Sequence, residues 1–252
     1  MLEDRSSILR FEGTDVHAAT REAPSELERI RATLALVPPD VESLLEVGCG
    51  RGDLVNRWAG KRAFGTDLAR RALRHVTRPA FASSIFTLPF QDGAFDAVLC
   101  AETLEHLEPA RLPEAAREIR RVARRCVVIT VPWQENFLEW SHRCPKCGQV
   151  FHLHGHRRSF AADDLKALFP GARAYHIQDT WPVRAWSPAL LRFRTGTLGL
   201  WKHTRHTRCP HCDNDQFANH EGRFLYKAVG ALNDLLHPAK TRYRWLMMRA
   251  EF

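Results

Sequence analysis

The run Leu44-Leu45-Glu46-Val47-Gly48-Cys49-Gly50-Arg51-Gly52-Asp53-Leu54 limits what this chain can fold into more than any other stretch. An apolar segment ends in three glycines at alternate positions, and Asp53 to Trp58 then read as a short helical segment. Glycine lets a strand turn sharply and lets backbone N–H groups approach a ligand with no Cβ in the way. Fifteen residues past Gly52, Asp67 closes a second apolar segment, Gly65-Thr66-Asp67-Leu68. A carboxylate placed there can take both hydroxyls of a ribose, as in doubly wound nucleotide-binding folds. The dinucleotide fingerprint G-x-G-x-x-G would need its third glycine at Asp53, so the fit to a nicotinamide dinucleotide is poor.

Glu46-x-Gly48-x-Gly50-x-Gly52 resembles the first motif of class I S-adenosylmethionine-dependent methyltransferases of the type 11 kind. The likeness continues through Leu88-Pro89-Phe90-Gln91-Asp92-Gly93-Ala94-Phe95-Asp96, Glu102-Thr103-Leu104-Glu105-His106-Leu107 and Val127-Val128-Ile129-Thr130-Val131-Pro132. It implies a Rossmann-like, doubly wound α/β fold, a seven-stranded sheet with helices on both faces. It also implies S-adenosylmethionine as cofactor, bound by Glu46, Gly48, Cys49, Gly50, Gly52, Asp67, Leu68, Ser84, Ile85 and Ala101. At Ser84 the family often carries Asp or Glu, so here the adenine amine falls to the serine or to a backbone group.

The order of elements agrees. A helix is expected over Ser25–Leu36, with Ser25-Glu26-Leu27-Glu28 as a capping box and Pro38-Pro39 as its stop. Strands are expected at Ser43–Val47, Ala63–Asp67, Ala80–Ser84, Phe95–Cys100 and Cys126–Val131, with a clear helix at Leu112–Ala123. A helix opening at Ser159 and two closing strands, Ala172–Gln178 and Arg242–Phe252, complete the set. A chain of 252 residues with 44% apolar residues suits a single domain. The reading places a core at about 41–132 and insertions at about 133–158 and 179–241, the latter with a helix at Arg223–Leu236. No apolar run approaches the roughly 18 residues of a membrane span, and the N-terminus lacks the order of a signal peptide, so a cytoplasmic setting is expected.

In that setting cysteines are read as thiols or metal ligands. Cys49, Cys100 and Cys126 fall in or beside core strands. Cys144-Pro145-Lys146-Cys147 and Cys209-Pro210-His211-Cys212 have zinc-knuckle spacing, although 61 residues separate the pairs. The reading is that Cys144, Cys147, Cys209 and Cys212 meet through the fold and hold one structural zinc ion, clamping the insertions as a cap. Two unrelated turns are the bland alternative.

For chemistry, His106 after the fourth strand and His156 after the fifth are the candidate catalytic bases. Glu102-x-x-Glu105-His106 is similar to the metal-binding E-x-x-E-H of small-RNA 2′-O-methyltransferases and ubiquinone-type O-methyltransferases, which would recruit Glu102, Glu105, His106 and a later histidine. Trp133, Trp140 and Trp181 are expected on loops at the carboxyl edge of the sheet. Residues 1–131 balance 19 Lys/Arg against 19 Asp/Glu, so the net charge of +8 lies wholly in residues 132–252. With Arg157, Arg158, Arg192, Arg194, Lys202, Arg205 and Arg208 near the proposed clamp, an anionic small-molecule or glycan acceptor, methylated at oxygen or nitrogen, is expected. RNA is the alternative partner, and a non-catalytic cofactor-binding module the alternative class.

Overall fold

A computed structural model describes residues 23–204, 207–237 and 241–252. Helix α1 (Pro24–Ala35) leads into strands β1 (Ser43–Val47), β2 (Arg62–Asp67), β3 (Ala80–Ala82) and β4 (Phe95–Ala101). Helix α2 (Leu112–Val122), strand β5 (Ala123–Pro132) and a small hairpin, β6 (Ser141–Arg143) with β7 (Val150–His152), follow. Then come α3 (Ala162–Leu168), β8 (Ala174–Arg184), α4 (Pro188–Arg192), α5 (Phe224–Leu236) and β9 (Thr241–Glu251).

Seven strands form one sheet in the order β3-β2-β1-β4-β5-β9-β8. The first five run parallel, and β9 is antiparallel to both neighbours. Side chains of a strand alternate between faces, so both faces of a central strand must be covered. Leu45, Val47, Val98, Val127, Ile129 and Met248 pack beneath α2 and α3, whereas Leu44, Leu99, Val128 and Met247 pack beneath α1. Each such side chain stabilises the fold by about 1.5–3 kcal/mol of burial. The expected α/β sheet with helices on both faces is therefore the observed one.

Local differences have local causes. Asp53 to Arg57 remain turns, because the Val55 N–H that a helix would give to Arg51 is taken by the Glu46 carboxylate at 2.7 Å. α1 has no side-chain cap; Pro24 starts it, and Glu26 and Glu28 turn to Arg29 and Arg31 instead of to the backbone. The strand before last is longer than expected: β8 runs to Arg184 and carries Trp181, which is thus in a strand and not a loop. The β6–β7 hairpin was not foreseen. No helix among the described residues is long and apolar enough to cross a membrane.

Candidate cofactor and acceptor site

The strand order reverses direction between β1 and β4, and a ligand crevice forms outside the carboxyl ends of strands at such a point. All three motif glycines adopt left-handed φ, +73° at Gly48, +52° at Gly50 and +82° at Gly52. A Cβ on Gly48 would sit 2.3 Å from the Thr103 hydroxyl, so this glycine is required by packing. A Cβ on Gly50 would meet nothing within 4 Å, so its backbone borders open space. Asp67, at the end of β2, accepts a hydrogen bond from the Gly50 N–H at 2.8 Å through one oxygen and from Ala69 N–H at 2.7 Å through the other. The motif acid and the glycine turn are thereby a single rigid unit. Burial raises the Asp67 carboxyl from its usual range, against the pull of these amides.

Glu46 lies beneath the turn, buried at the end of β1, and its carboxyl is pushed up to about 8 by burial. Cys49 is buried, with its N–H bonded to Thr66 O, and burial raises its thiol. Leu68 is exposed beside Asp67, Ile85 and Ala101 are buried, and Ser84 accepts from Phe86 N–H through its hydroxyl. All ten expected cofactor residues thus lie in the loops and strand ends around one edge of the sheet.

The next two loops bring the candidate bases together. Glu102 and Gln134, just past β4 and β5, hold left-handed φ of +50° and +44°, a strained conformation for residues with a Cβ. His106 and His156, fifty residues apart, have ring centroids 4.9 Å apart. His156 Nδ1 lies 2.5 Å from a Glu135 oxygen, and His152 Nε2 lies 3.6 Å from the other. Burial would raise the Glu135 carboxyl, but the two imidazoles outweigh it and hold it well below the usual range. Glu135 is a residue the sequence reading did not single out; an acid three positions past a strand's carboxyl end, ahead of a histidine cluster, was its only signal.

Donor atoms of Glu105, His106 and His156 lie within 4.8 Å of one another. Glu102 stands outside this group: its carboxylate accepts from Trp245 Nε1 at 2.9 Å and faces the Arg29 guanidinium, while burial pushes it up to about 7. The ligand set drawn from the E-x-x-E-H spacing is therefore only partly assembled.

The four knuckle cysteines do meet. Their sulfurs all lie within 4.8 Å of one another, with Cys144–Cys212 and Cys147–Cys209 at 3.6 Å. Tetrahedral zinc–thiolate bonds of about 2.3 Å place sulfurs about 3.8 Å apart, so the cluster has the size of a Cys₄ site. The two turns are copies. Cys144 N–H bonds Gln149 O and Gly148 N–H bonds Cys144 O; Cys209 N–H bonds Asn214 O and Asp213 N–H bonds Cys209 O. The fifth residue has left-handed φ in both, +75° at Gly148 and +57° at Asp213. Burial would raise the Cys144 thiol, but the N–H groups of Cys147 and Lys146 bring it down to about 6.

The basic residues near this clamp are mostly engaged. Arg157 pairs with Glu108, Arg158 with Asp164, Lys202 with Glu221 and Arg208 with Asp213. Arg194 is buried between the Trp186 and Tyr226 rings. Arg192 is exposed, and Arg205 lies outside the described residues. Among the tryptophans, Trp133 stacks on Tyr243, and Trp140 contacts His154 and the Lys202 ammonium.

Residues 45–129 match the family model described as a methyltransferase domain. A ubiquinone biosynthesis O-methyltransferase of Albidiferax ferrireducens is 32% identical over 124 residues, covering 44% of this chain and 46% of that protein. An uncharacterized protein of Methanocaldococcus jannaschii is 32% identical over 81 residues, 31% of this chain and 35% of that one. The chain spans less than half the length of either curated relative. Among solved structures, a SAM-dependent methyltransferase from Archaeoglobus fulgidus shares the fold at a TM-score of 0.55 and 15% identity, covering 89% of this chain and 92% of that one. A possible histamine N-methyltransferase from Thermotoga maritima does so at 0.52 and 14%, covering 89% and 88%. Residues 45–129, about a third of the chain, are thus similar to a methyltransferase domain, and the sheet built on them has the fold seen in the Archaeoglobus fulgidus and Thermotoga maritima structures.

Proposed function

We propose that the chain transfers a methyl group from S-adenosylmethionine to an oxygen or nitrogen of a small or medium-sized polar acceptor bearing an anionic group, a biosynthetic intermediate or a glycan. The observation that carries this reading is the open left-handed Gly50 tied to Asp67 at the reversal point of the sheet. The sulfonium supplies both methyl and leaving group, so the protein aligns and desolvates the acceptor. Gly48, Gly50 and Gly52 shape the turn that receives the cofactor, with Asp67 and Leu68 beside the ribose. Cys49, Ser84, Ile85 and Ala101 complete its walls, and Glu46 holds the turn from below through Val55.

His156 serves as the base. Glu135, kept ionised, fixes the imidazole with its Nδ1–H directed at the carboxylate, which leaves Nε2 to accept the acceptor's proton. Such a base contributes typically ~10²–10⁴-fold. His106, ring to ring with His156, is the second candidate. Cys144, Cys147, Cys209 and Cys212 hold one structural zinc ion that ties the hairpin to the segment between β8 and β9, a chemistry at home in a reducing, cytoplasmic setting. The engagement of most clamp cations in ion pairs favours a small acceptor over RNA, which would need a row of free ones.

Calorimetry with S-adenosylmethionine tests the cofactor half. Asp67→Ala should weaken binding by about 1.5–3 kcal/mol, roughly 10- to 150-fold. An absence of binding by the unaltered chain sinks the proposal. Mass spectrometry of a metabolite extract incubated with the protein and methyl-labelled cofactor then identifies the acceptor. His156→Ala should reduce label transfer and leave cofactor affinity unchanged.

A further inference from the structure

The helix between β8 and β9 has two unlike faces. Inward, Val229 and Asn233 are buried; Asn233 accepts from Ser187 N–H at 2.9 Å and donates to Ala185 O at 3.2 Å, and the Tyr226 hydroxyl accepts from Arg194. Outward, Phe224 is 82% and Leu235 75% exposed, and Leu225, Leu232 and Leu236 are each exposed too. Leu225, Leu232, Leu235 and Leu236 are spaced by seven, ten and eleven residues, which aligns them on one stripe of α5. Phe193, next to the Arg194 that binds this helix, is also exposed. A contiguous apolar face of this kind marks an interaction surface.

Charge tells what that surface meets. Arg192, Arg223 and Lys227 are exposed and enter no ion pair among the described residues. The helix's single acid, Asp234, is neutralised by Arg184 at 2.6 Å. α5 also precedes the start of β9, which pairs Trp245 with Pro132 at the carboxyl edge, where the motif glycines lie. A second copy of α5 would offer Arg223 and Lys227 no unpaired acid, since Asp234 is held by Arg184, which argues against self-association through this helix. An anionic lipid surface answers both the leucines and the unpaired cations.

We propose that α5 docks the protein peripherally on an anionic bilayer, with Phe224, Leu225, Leu232, Leu235 and Leu236 at the headgroup–acyl boundary and Arg192, Arg223 and Lys227 on lipid phosphates. The docking needs neither the cofactor nor the acceptor, so it stands or falls apart from the methyl-transfer reading. The experiment is co-sedimentation of the full zinc-loaded chain with vesicles of phosphatidylcholine, with and without phosphatidylglycerol. Partition onto the anionic vesicles alone is expected, weakening with salt. Leu235→Ser with Leu236→Ser, at positions facing away from the fold, should reduce it about tenfold or more. Arg223→Gln and Lys227→Gln should each reduce it roughly fivefold. Circular dichroism and thermal melting of the same variants confirm that they are folded. The proposal is overturned by failure to sediment with either vesicle, by sedimentation that the leucine changes leave untouched, or by a concentration-dependent dimer that those changes dissolve.

Discussion

The sheet and its cap are held together by different physics. The sheet buries two continuous apolar layers, one on each face, drawn mainly from β1, β4, β5 and β9. The cap's own cluster is four buried residues, Cys144, Phe151, Leu153 and Cys209, of which two are the thiols. Around it lie polar contacts such as Trp201 N–H to His220 and the two knuckle turns. A core built on area tolerates local change in proportion to the atoms removed. A cap built on one cluster of ligands fails as a unit when that cluster is broken.

Breaking the cluster should therefore give the largest effect. Cys209→Ser, or chelation of the unaltered chain, should abolish the cap's ordered structure, because structural zinc contributes roughly 10–16 kcal/mol of apparent binding energy to such sites. Hydrogen exchange should lose protection in 141–153 and 207–237 while the amides of β1 and β4 keep theirs. Equal loss in both regions would show that the sheet and cap are one cooperative unit. Next, Leu99→Ala in the centre of β4 should cost about 2–5 kcal/mol in denaturant unfolding without releasing zinc.

A pH scan sharpens the comparison. Glu46 sits at about 8 in the fold against an ordinary 4.5, so the folded state favours its protonated form. Its share of stability is full below pH 4.5, falls as pH rises from 4.5 towards 8, and is flat above that. Glu46→Gln should flatten that slope of the sheet's unfolding free energy, with little change in the cap. The smallest effect belongs to Asp213. Glycine there removes the strain of the left-handed backbone but also the exposed pair with Arg208, so Asp213→Gly should shift cap stability by less than about 1 kcal/mol, measured as resistance to chelator.

The same division decides what the sequence could tell. Strands from Ser43 to Pro132 were legible because each is a short apolar run punctuated by glycine, proline or a charged loop, and apolar burial is what fixes them. The knuckles were legible too, since C-P-x-C is local, and the structure joins the two copies. What stayed hidden depended on distant partners. Glu135 matters because β5 and the hairpin loop place it against His152 and His156, a relation no spacing encodes. Glu102 shows the converse: the motif sets it beside Glu105 and His106, but Trp245, at the far end of the chain, binds one of its carboxylate oxygens. The β6–β7 hairpin, three residues a strand, is too short to leave a periodic signal.

The strand order has a consequence in time. β9 is made last, yet it lies between β5 and β8, so the edge of the sheet cannot close until the final residues of the domain arrive. From Arg184 to Thr241 the chain makes an excursion of 56 residues, and closing a loop of that length costs on the order of 3–4 kcal/mol in chain entropy. The zinc ion proposed for Cys144 and Cys147 on one side and Cys209 and Cys212 on the other would reel in half of that excursion beforehand. On that proposal metal supply is a step in assembly: a chain synthesised without zinc would carry a finished parallel half and an unsealed edge, with β5 waiting for a neighbour.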